Sequence, residues 1–180
     1  MDVVDAEAVF MHTIGHSTRG IEEFVGLLRL HAVEMILDVR TVPRSRFNPQ
    51  FNADSLPLSL AEARVGYQHL PALGGLRKAS VDSENLGWRN SSFRGYADYM
   101  LTPEFQVAVD DLIELASERV SAIMCAEAVP WRCHRSLIAD ALTVRGHRIQ
   151  HIIGANSSRP NALTSFARAE NGRITYPSTS

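Results

Sequence analysis

The sequence has little lysine and no long apolar run. Lys78 is the one lysine among 18 basic residues, and genome composition explains this excess of arginine as easily as a demand for anion binding does. No apolar run approaches the roughly 20 residues of a membrane span. The first ten residues, MDVVDAEAVF, also lack the basic segment of a secretory leader. We therefore expect a cytoplasmic protein with no membrane partner.

A strong charge of one sign and the common nucleotide motifs are absent as well. The formal net charge is −2 and the isoelectric point is about 6.4, so any basic surface that meets nucleic acid must be local. Neither G-x-x-x-x-G-K-[ST] nor G-x-G-x-x-G occurs, which argues against a Walker-type site and a dinucleotide fingerprint. The sequence indicates no particular cofactor.

The apolar content is sufficient for one packed core, because 45% of the 180 residues are hydrophobic. Strand-like and helix-like segments alternate, which predicts a single-domain α/β fold over residues 1–153. We expect a mostly parallel sheet of about five strands with helices on both faces, a Rossmann-like three-layer arrangement. Residues 71–94 are predicted to be an irregular insertion, and residues 154–180 a partly flexible C-terminal tail with little to bury. The predicted strands cover residues 9–14, 33–39, 67–70, 120–125 and 149–153.

Polar side chains follow four of the predicted strands at their carboxyl ends. In an open α/β sheet, ligands bind in the crevice beyond these ends, so the side chains are expected to surround one site. Polar residues at the start of loops are the alternative explanation. The residues concerned are His16, Ser17, Asp38, Arg40, Tyr67, His69, Cys125 and Glu127.

The segment SAIMCAEAVPWRCHRSLIA at residues 121–139 is the most informative part of the chain. Cys133 is predicted to lie in the first turn of a helix, where free backbone N–H groups and the helix dipole favour a thiolate. The positive charges of Arg132 and Arg135 also favour the thiolate form of Cys133. His134 is a candidate proton acceptor, but adjacent helical residues point about 100° apart, which makes a direct Cys133–His134 pair geometrically poor. A small buried residue at a helix start is the alternative interpretation of Cys133.

Cys125 and Cys133 lie eight positions apart, and several interpretations of the two thiols stay open. In a reducing compartment, free thiols, metal ligands or a redox pair are favoured over a structural disulfide. A reversible pair, or a nucleophile with a resolving thiol, requires both to face the crevice. Cys125 at the end of an apolar strand also fits an ordinary core residue. A metal bound by the two thiols and His16 is a further alternative, but we assign no metal ligand.

Two familiar cysteine sites do not fit the spacing. CAE followed by P-x-x-C is similar to part of a zinc deaminase site, but the distant second cysteine pair is missing. Six residues separate Cys125 from Arg132, one more than in the C-x5-R loop of cysteine phosphatases.

Arginine in two loops near the predicted crevice favours recognition of an anion. Asp38 and Arg40 are alternate residues of a strand and point the same way, which suits a paired Asp and Arg or an Arg held for a ligand. Glu127 is a candidate general base or a partner of that arginine. His16 and His69 are candidate proton shuttles or structural histidines. The loop arginines are Arg40, Arg44, Arg46, Arg132 and Arg135, and solvated surface charge is their alternative role.

Five motifs together resemble a known family. They are TIGHS at 13–17, DVR with PRS at 38–45, YQHLPALGG at 67–75, FRGYADYM at 93–100 and CAEAVPWRCHRSLIA at 125–139. In this order they resemble the bacterial domain-of-unknown-function family number 488, over about residues 11–153. The resemblance implies a compact α/β domain and implies no particular activity.

The leading hypothesis is a small enzyme that acts on an anionic, phosphorylated or nucleotide-like small molecule. Its alternatives are a nucleic-acid or nucleotide-binding module with structural cysteines, and a Cys/His metal-binding protein. The sequence does not indicate an oligomeric state. The catalytic candidates are Cys133, Glu127, His16 and Cys125. The candidates for substrate binding are Ser17, Asp38, Arg40, Arg44, Tyr67, His69, Arg132, His134 and Arg135.

Overall fold

A six-stranded sheet in the order β3-β2-β4-β1-β5-β6 organises the computed structural model, which describes residues 7–179. The first five strands in this order are parallel, and β6 pairs with β5 in the antiparallel direction. The predicted domain and tail also include residues 1–6 and 180, which lie outside the described range. The strands are β1 (Phe10–Gly15), β2 (Met35–Asp38), β3 (Gly66–His69), β4 (Ser121–Cys125), β5 (Arg148–Gly154) and β6 (Ser157–Pro160).

Five α-helices connect the strands. One of them, α4, begins as the sequence predicts: the Thr102 side chain accepts the N–H of Phe105, and Pro103 occupies the first helical position. None of the helices within residues 7–179 has the length and apolar character that crossing a membrane requires. The helices are α1 (Ile21–Leu30), α2 (Leu56–Glu62), α3 (Ser91–Tyr99), α4 (Pro103–Glu118) and α5 (Arg135–Val144).

Each face of the sheet carries its own hydrophobic core. Alternate residues of a strand point to opposite faces, so Ile36 packs with α1 and α2 while Leu37 packs with α3, α4 and α5. Both strand residues are fully buried. Helices therefore cover both faces of a mostly parallel sheet, and the predicted α/β three-layer fold is confirmed.

The chain leaves β1 and β4 towards opposite faces, and this creates a crevice between them. From β1 it crosses to β2 through α1, and from β4 it crosses to β5 through α5, on the other face. Such a reversal between neighbouring strands is the usual position of a ligand site in an open α/β sheet. The loops meet closely there, because a Cβ at Gly15 would overlap the Glu127 carbonyl.

The segment after Gly154 is more structured than the sequence indicates. It supplies β6, which makes six strands rather than about five, and then a hairpin of β7 (Arg168–Glu170) and β8 (Arg173–Thr175). Ile174 and Tyr176 are buried against the core of α5. Few side chains of this segment are buried, but these two attach it to the domain.

Residues 74–90 of the predicted insertion are irregular and are attached to α3, whereas residues 91–94 belong to that helix. Between a short 3₁₀ turn at Pro71–Leu73 and α3 there is no further helix or strand. The Asp98 carboxylate accepts hydrogen bonds from Ser80 N, Ser83 Oγ and Asn85 Nδ2 at 2.6–2.8 Å. These bonds fix residues 80–85 on the outside of the helix.

Candidate functional site

A crevice of about 900 Å³ opens at the carboxyl ends of β1 and β4. Its walls come from the loops after β1, β2 and β4 and from the insertion. Small-molecule sites in proteins commonly have this size. The crevice is lined by nine of the residues predicted from the sequence, namely His16, Ser17, Arg40, Arg44, Cys125, Glu127, Arg132, Cys133 and His134.

Seven hydroxyl, amide or glycine residues and Phe93 line the crevice without having been among the predicted site residues. Six of them lie in irregular loops, where no periodic pattern distinguishes an inward side chain from an outward one, and Ser92 and Phe93 lie in the first turn of α3. The length of the insertion was the available signal, because long loops in compact domains are often functional. The eight are Thr18, Thr41, Ser45, Asn48, Gly75, Asn90, Ser92 and Phe93.

Asp38 and Arg40 form a buried ion pair behind the crevice. Arg40 donates from Nε to Asp38 Oδ1 at 2.9 Å and from Nη2 to Oδ2 at 2.8 Å. The guanidinium also donates to the Phe51 carbonyl at 2.7 Å. Asp38 is fully buried and does not line the crevice. It therefore neutralises and orients Arg40, and this leaves Nη1 of Arg40 directed at His16.

Tyr67 and His69 also act on this pair and do not line the crevice. The Tyr67 hydroxyl donates a hydrogen bond to Asp38 Oδ2 at 2.5 Å. The pKa of Tyr67 is raised, mainly by burial and to a smaller extent by this bond. The Nε2 atom of His69 lies 2.7 Å from the Arg40 carbonyl. These two side chains of β3 therefore support Arg40, Tyr67 through Asp38 and His69 through the Arg40 carbonyl.

His16 has the surroundings of a neutral histidine. Its Nδ1 lies 2.8 Å from the Ser17 carbonyl and its Nε2 lies 3.3 Å from Arg40 Nη1, so Nδ1 carries the proton and Nε2 accepts. Its ring stacks on Phe51 with 4.3 Å between centroids. Burial, and secondarily the charge of Arg40, lowers the pKa of His16 to about 4. A neutral acceptor fits these contacts better than a proton shuttle at neutral pH does.

Cys133 does not lie in the first turn of a helix, and this corrects the sequence prediction. α5 begins at Arg135, His134 occupies the N-cap, and Cys133 has an extended backbone with φ −136° and ψ 146°. Its sulfur still accepts the Arg135 N–H at 3.5 Å. The helical angle of 100° therefore does not apply to Cys133 and His134.

His134 instead directs a ring nitrogen at the Cys133 sulfur. Nδ1 lies 3.5 Å from Sγ, and Nε2 lies 2.8 Å from the Val39 carbonyl, to which it donates. Burial lowers the pKa of His134, which leaves Nδ1 unprotonated. The prediction of a geometrically poor pair was wrong. Gly75 makes room for the ring, since a Cβ there would lie 2.7 Å from Nδ1.

The sulfur atoms of Cys125 and Cys133 contact each other at the wall of the crevice, in the position of a disulfide pair. Cys125 ends β4 and is 1% exposed, whereas Cys133 is 6% exposed. Of the alternatives left by the sequence, the pairing favours a redox pair or a structural disulfide over two free thiols. Among residues 7–179, no group of three or more His, Cys, Asp or Glu side chains is arranged to hold a metal ion.

Arg135 is a fully buried cation beside this pair. It donates to the carbonyls of Glu127 and Ala128 at 2.8 and 3.1 Å, and from Nη1 to Cys125 Sγ at 3.1 Å. Within the described residues it forms no ion pair, and its Nε has no hydrogen-bond partner. Burial lowers the pKa of Arg135 to about 9. It holds the loop after β4 and does not itself line the crevice.

Two exposed arginines stand at the crevice. Arg44 and Arg132 line it from the loops after β2 and β4, and neither forms an ion pair in the part of the chain that the structure describes. Glu127 lines the same crevice with an exposed side chain. The crevice therefore has two uncompensated positive groups and one carboxylate in contact with solvent.

Comparison with known proteins gives one family. The model described as domain of unknown function DUF488 matches residues 20–142, from the residue before α1 into α5. The matched range includes the loops after β2 and β4 that line the crevice. Neither a curated protein nor a solved structure matches the chain.

Proposed function

Since the chain belongs to the DUF488 family, a domain of unknown function, we propose from its site that it is a small enzyme acting on an anionic substrate, with Cys133 as the nucleophile. The observation that carries this proposal is the 3.5 Å contact between Cys133 Sγ and His134 Nδ1. A thiol, a base and a third group that orients the base are the parts of an activated cysteine. Here the third group is the Val39 carbonyl.

Proton transfer to His134 is the first step in the reduced protein. Neutral His134 has its free lone pair on Nδ1, so it accepts the proton of the Cys133 thiol. The thiolate is then stabilised by the imidazolium and by the Arg135 N–H, which donates to the sulfur. A thiolate is the reactive form of cysteine, and these contacts increase its share at neutral pH.

Charge around the crevice supports an anionic substrate. Arg44 and Arg132 have guanidinium groups without acidic partners in the described residues, and a planar guanidinium binds carboxylate or phosphate oxygens through two parallel hydrogen bonds. Ser17 and Asn48 add neutral polar groups to the same wall. We assign Glu127, whose side chain is exposed in the crevice, to proton transfer at the leaving group.

Two alkylating reagents of different charge test the proposal. The rates of Cys133 modification by iodoacetate and by iodoacetamide are measured in the reduced chain, and their ratio is compared with the same ratio in urea. We expect the folded chain to favour the anionic reagent. Arg132→Gln should lower the ratio about threefold, the effect of losing one surface charge interaction of less than 1 kcal/mol. Arg29→Gln, an exposed residue on α1, is the matched control.

A folded ratio equal to or below the ratio in urea would contradict anion preference. An equal ratio of the two rates in Arg29→Gln and Arg132→Gln would contradict a role for Arg132 in anion binding.

A nucleic-acid or nucleotide-binding module is the second candidate, and the unpaired Arg44 and Arg132 favour it. In that case both residues contact phosphates and the cysteines are structural. Oligonucleotide affinity that falls steeply with salt, and is unchanged in Cys133→Ser, would favour the module over the enzyme.

A further inference from the structure

We infer that Cys125 and Cys133 form a reversible redox centre, and that the chain exchanges this disulfide with a small anionic molecule that itself carries a disulfide. The inference rests on the proposed function, because it uses Cys133 as the attacking thiol of the same crevice. It adds the reaction, the class of substrate and a role for Cys125 as the resolving thiol.

The two sulfurs differ in access. Both residues line the crevice, but Cys125 is 1% exposed at the end of β4 and Cys133 is 6% exposed before α5. Cys133 is the more exposed of the two residues, and we assign to it the attack on an incoming disulfide. Of the two sulfurs, His134 contacts that of Cys133. The position of the base and the greater exposure of Cys133 therefore both favour Cys133 as the attacking thiol. The Cys125 sulfur contacts the Cys133 sulfur, in the position from which a second thiol attacks.

Arg135 supplies the charge that Cys125 needs. Its guanidinium is fully buried, forms no ion pair among the described residues, and lies 3.1 Å from Cys125 Sγ. A buried cation without a carboxylate destabilises the folded chain, and a thiolate at Cys125 would be an anion in direct contact with it. Reduction of the disulfide therefore gives a Cys125 thiolate that is stabilised in place, and such a thiolate is also a good leaving group when the disulfide is attacked.

The exchange balances in two steps. The Cys133 thiolate attacks one sulfur of R–S–S–R′, the substrate S–S bond breaks, and R′–S⁻ leaves as the mixed disulfide Cys133–S–S–R forms. The Cys125 thiolate then attacks Cys133 Sγ, the bond to R–S breaks, and R–S⁻ leaves. Two electrons pass from the two cysteines to the substrate, whose two thiolates are the products. The proton of Cys133 remains on His134 until solvent removes it.

An anionic aromatic disulfide, 5,5′-dithiobis(2-nitrobenzoate), is a suitable probe because it carries carboxylates and its released thiolate absorbs visible light. The full chain is reduced, freed of reductant and mixed with one equivalent of the probe. We expect two thionitrobenzoate anions per chain and no probe adduct by mass. Cys125→Ser should release one anion and retain the other half of the probe on Cys133. Cys133→Ser should react at least tenfold more slowly than Cys125→Ser.

The outcomes separate this inference from the proposed function. A wild-type chain that keeps a stable probe adduct on Cys133 overturns the redox centre, while reactive Cys133 still supports the nucleophile. A folded wild-type chain whose Cys133 reacts no faster than Cys125 overturns both.

Arg135 is a positioning residue for the second step, and its variants give an independent readout. Arg135→Lys keeps the cation, and we expect release of the second anion to stay within about threefold of wild type. Arg135→Gln should delay the second release relative to the first. An equal delay of the second release in Arg135→Lys and Arg135→Gln would show that the charge of Arg135 does not promote this step. If circular dichroism shows that neither variant folds, the Cys125→Ser adduct still decides the inference.

Discussion

The Nδ1 atom of His134 lies 3.5 Å from Cys133 Sγ, although the two residues are neighbours in sequence. The contact exists because the chain is extended at Cys133 and turns into α5 only at Arg135. Val39 fixes the other side of the ring through its carbonyl, 2.8 Å from Nε2. In the reduced chain, the imidazole is positioned to accept the proton of the Cys133 thiol.

Replacing His134 tests this arrangement. In His134→Asn the proton acceptor is lost, and we expect the rate of Cys133 alkylation at pH 7 to fall about tenfold, the effect of a shift of one pH unit in thiol ionisation. Mass-spectrometric peptide mapping after timed alkylation measures this rate. His69→Asn is the control, because His69 does not line the crevice. An equal loss of rate in both variants would contradict the assigned role of His134.

The buried pair of Asp38 and Arg40 predicts a large loss of stability. In Asp38→Asn the Arg40 guanidinium stays buried without its carboxylate, and we expect the free energy of unfolding to fall by about 3–5 kcal/mol. Urea denaturation at pH 7.5 measures the change. Asp54→Asn, an exposed carboxylate next to α2, should change it by less than about 0.5 kcal/mol. A loss below about 1 kcal/mol in Asp38→Asn would show that the pair is not buried as described.

His16 predicts a pH dependence of stability. Its pKa is lowered from 6.5 to about 4, first by burial, so the unfolded chain binds the proton more tightly than the folded chain does. The contribution is present above pH 6.5 and is lost as the pH falls towards 4, by up to about 3 kcal/mol. Urea unfolding of the wild type and of His16→Asn at pH 7.5, 6 and 5 measures it. The variant should lose stability less steeply, and parallel curves would contradict the prediction.

Tyr176 predicts that the C-terminal segment contributes to stability. Its hydroxyl donates to Asp140 Oδ2 at 3.0 Å, and both residues are buried. Burial raises the pKa of Asp140, whose carboxylate depends on this bond and on those from Thr164 and Asn161. Tyr176→Phe should therefore cost about 1–3 kcal/mol.

Thermal and urea unfolding measure this cost. Tyr99→Phe is the control, because its hydroxyl bonds to the Ala72 carbonyl in a more exposed position, and its effect should be smaller. Equal effects would show that the Asp140 contact contributes nothing specific.

Much of the fold could be predicted from the sequence, because its elements have strong local signals. Thr102 predicts a helix start because its side chain can cap the first turn, and Pro103 because it lacks the N–H that would be unpaired there. The structure has Thr102 at the N-cap and Pro103 at the first position of α4. The segment after Gly154 could not be predicted in the same way. Ile174 and Tyr176 are buried through contacts with distant residues, and a polar local sequence does not reveal such contacts.

The crevice could be predicted only in part. Residues at the carboxyl ends of β1 and β4 follow a rule of sheet topology, so His16 and Cys125 were identifiable. Tyr67 lies within β3 and His69 ends it, yet the two side chains contact Asp38 and Arg40 and not the crevice. The distinction between lining the crevice and supporting a neighbour depends on side-chain contacts, which strand position alone does not define.

The rate of Cys133 alkylation as a function of pH, in the reduced and folded chain, tests the central claim most directly. With His134 as proton acceptor and the Arg135 N–H on its sulfur, we predict a curve whose midpoint lies well below about 8.5, the ordinary value for a free thiol. The same peptide in urea should give the ordinary midpoint. A folded midpoint at or above the one in urea would contradict an activated Cys133, and with it the enzyme proposed for this crevice.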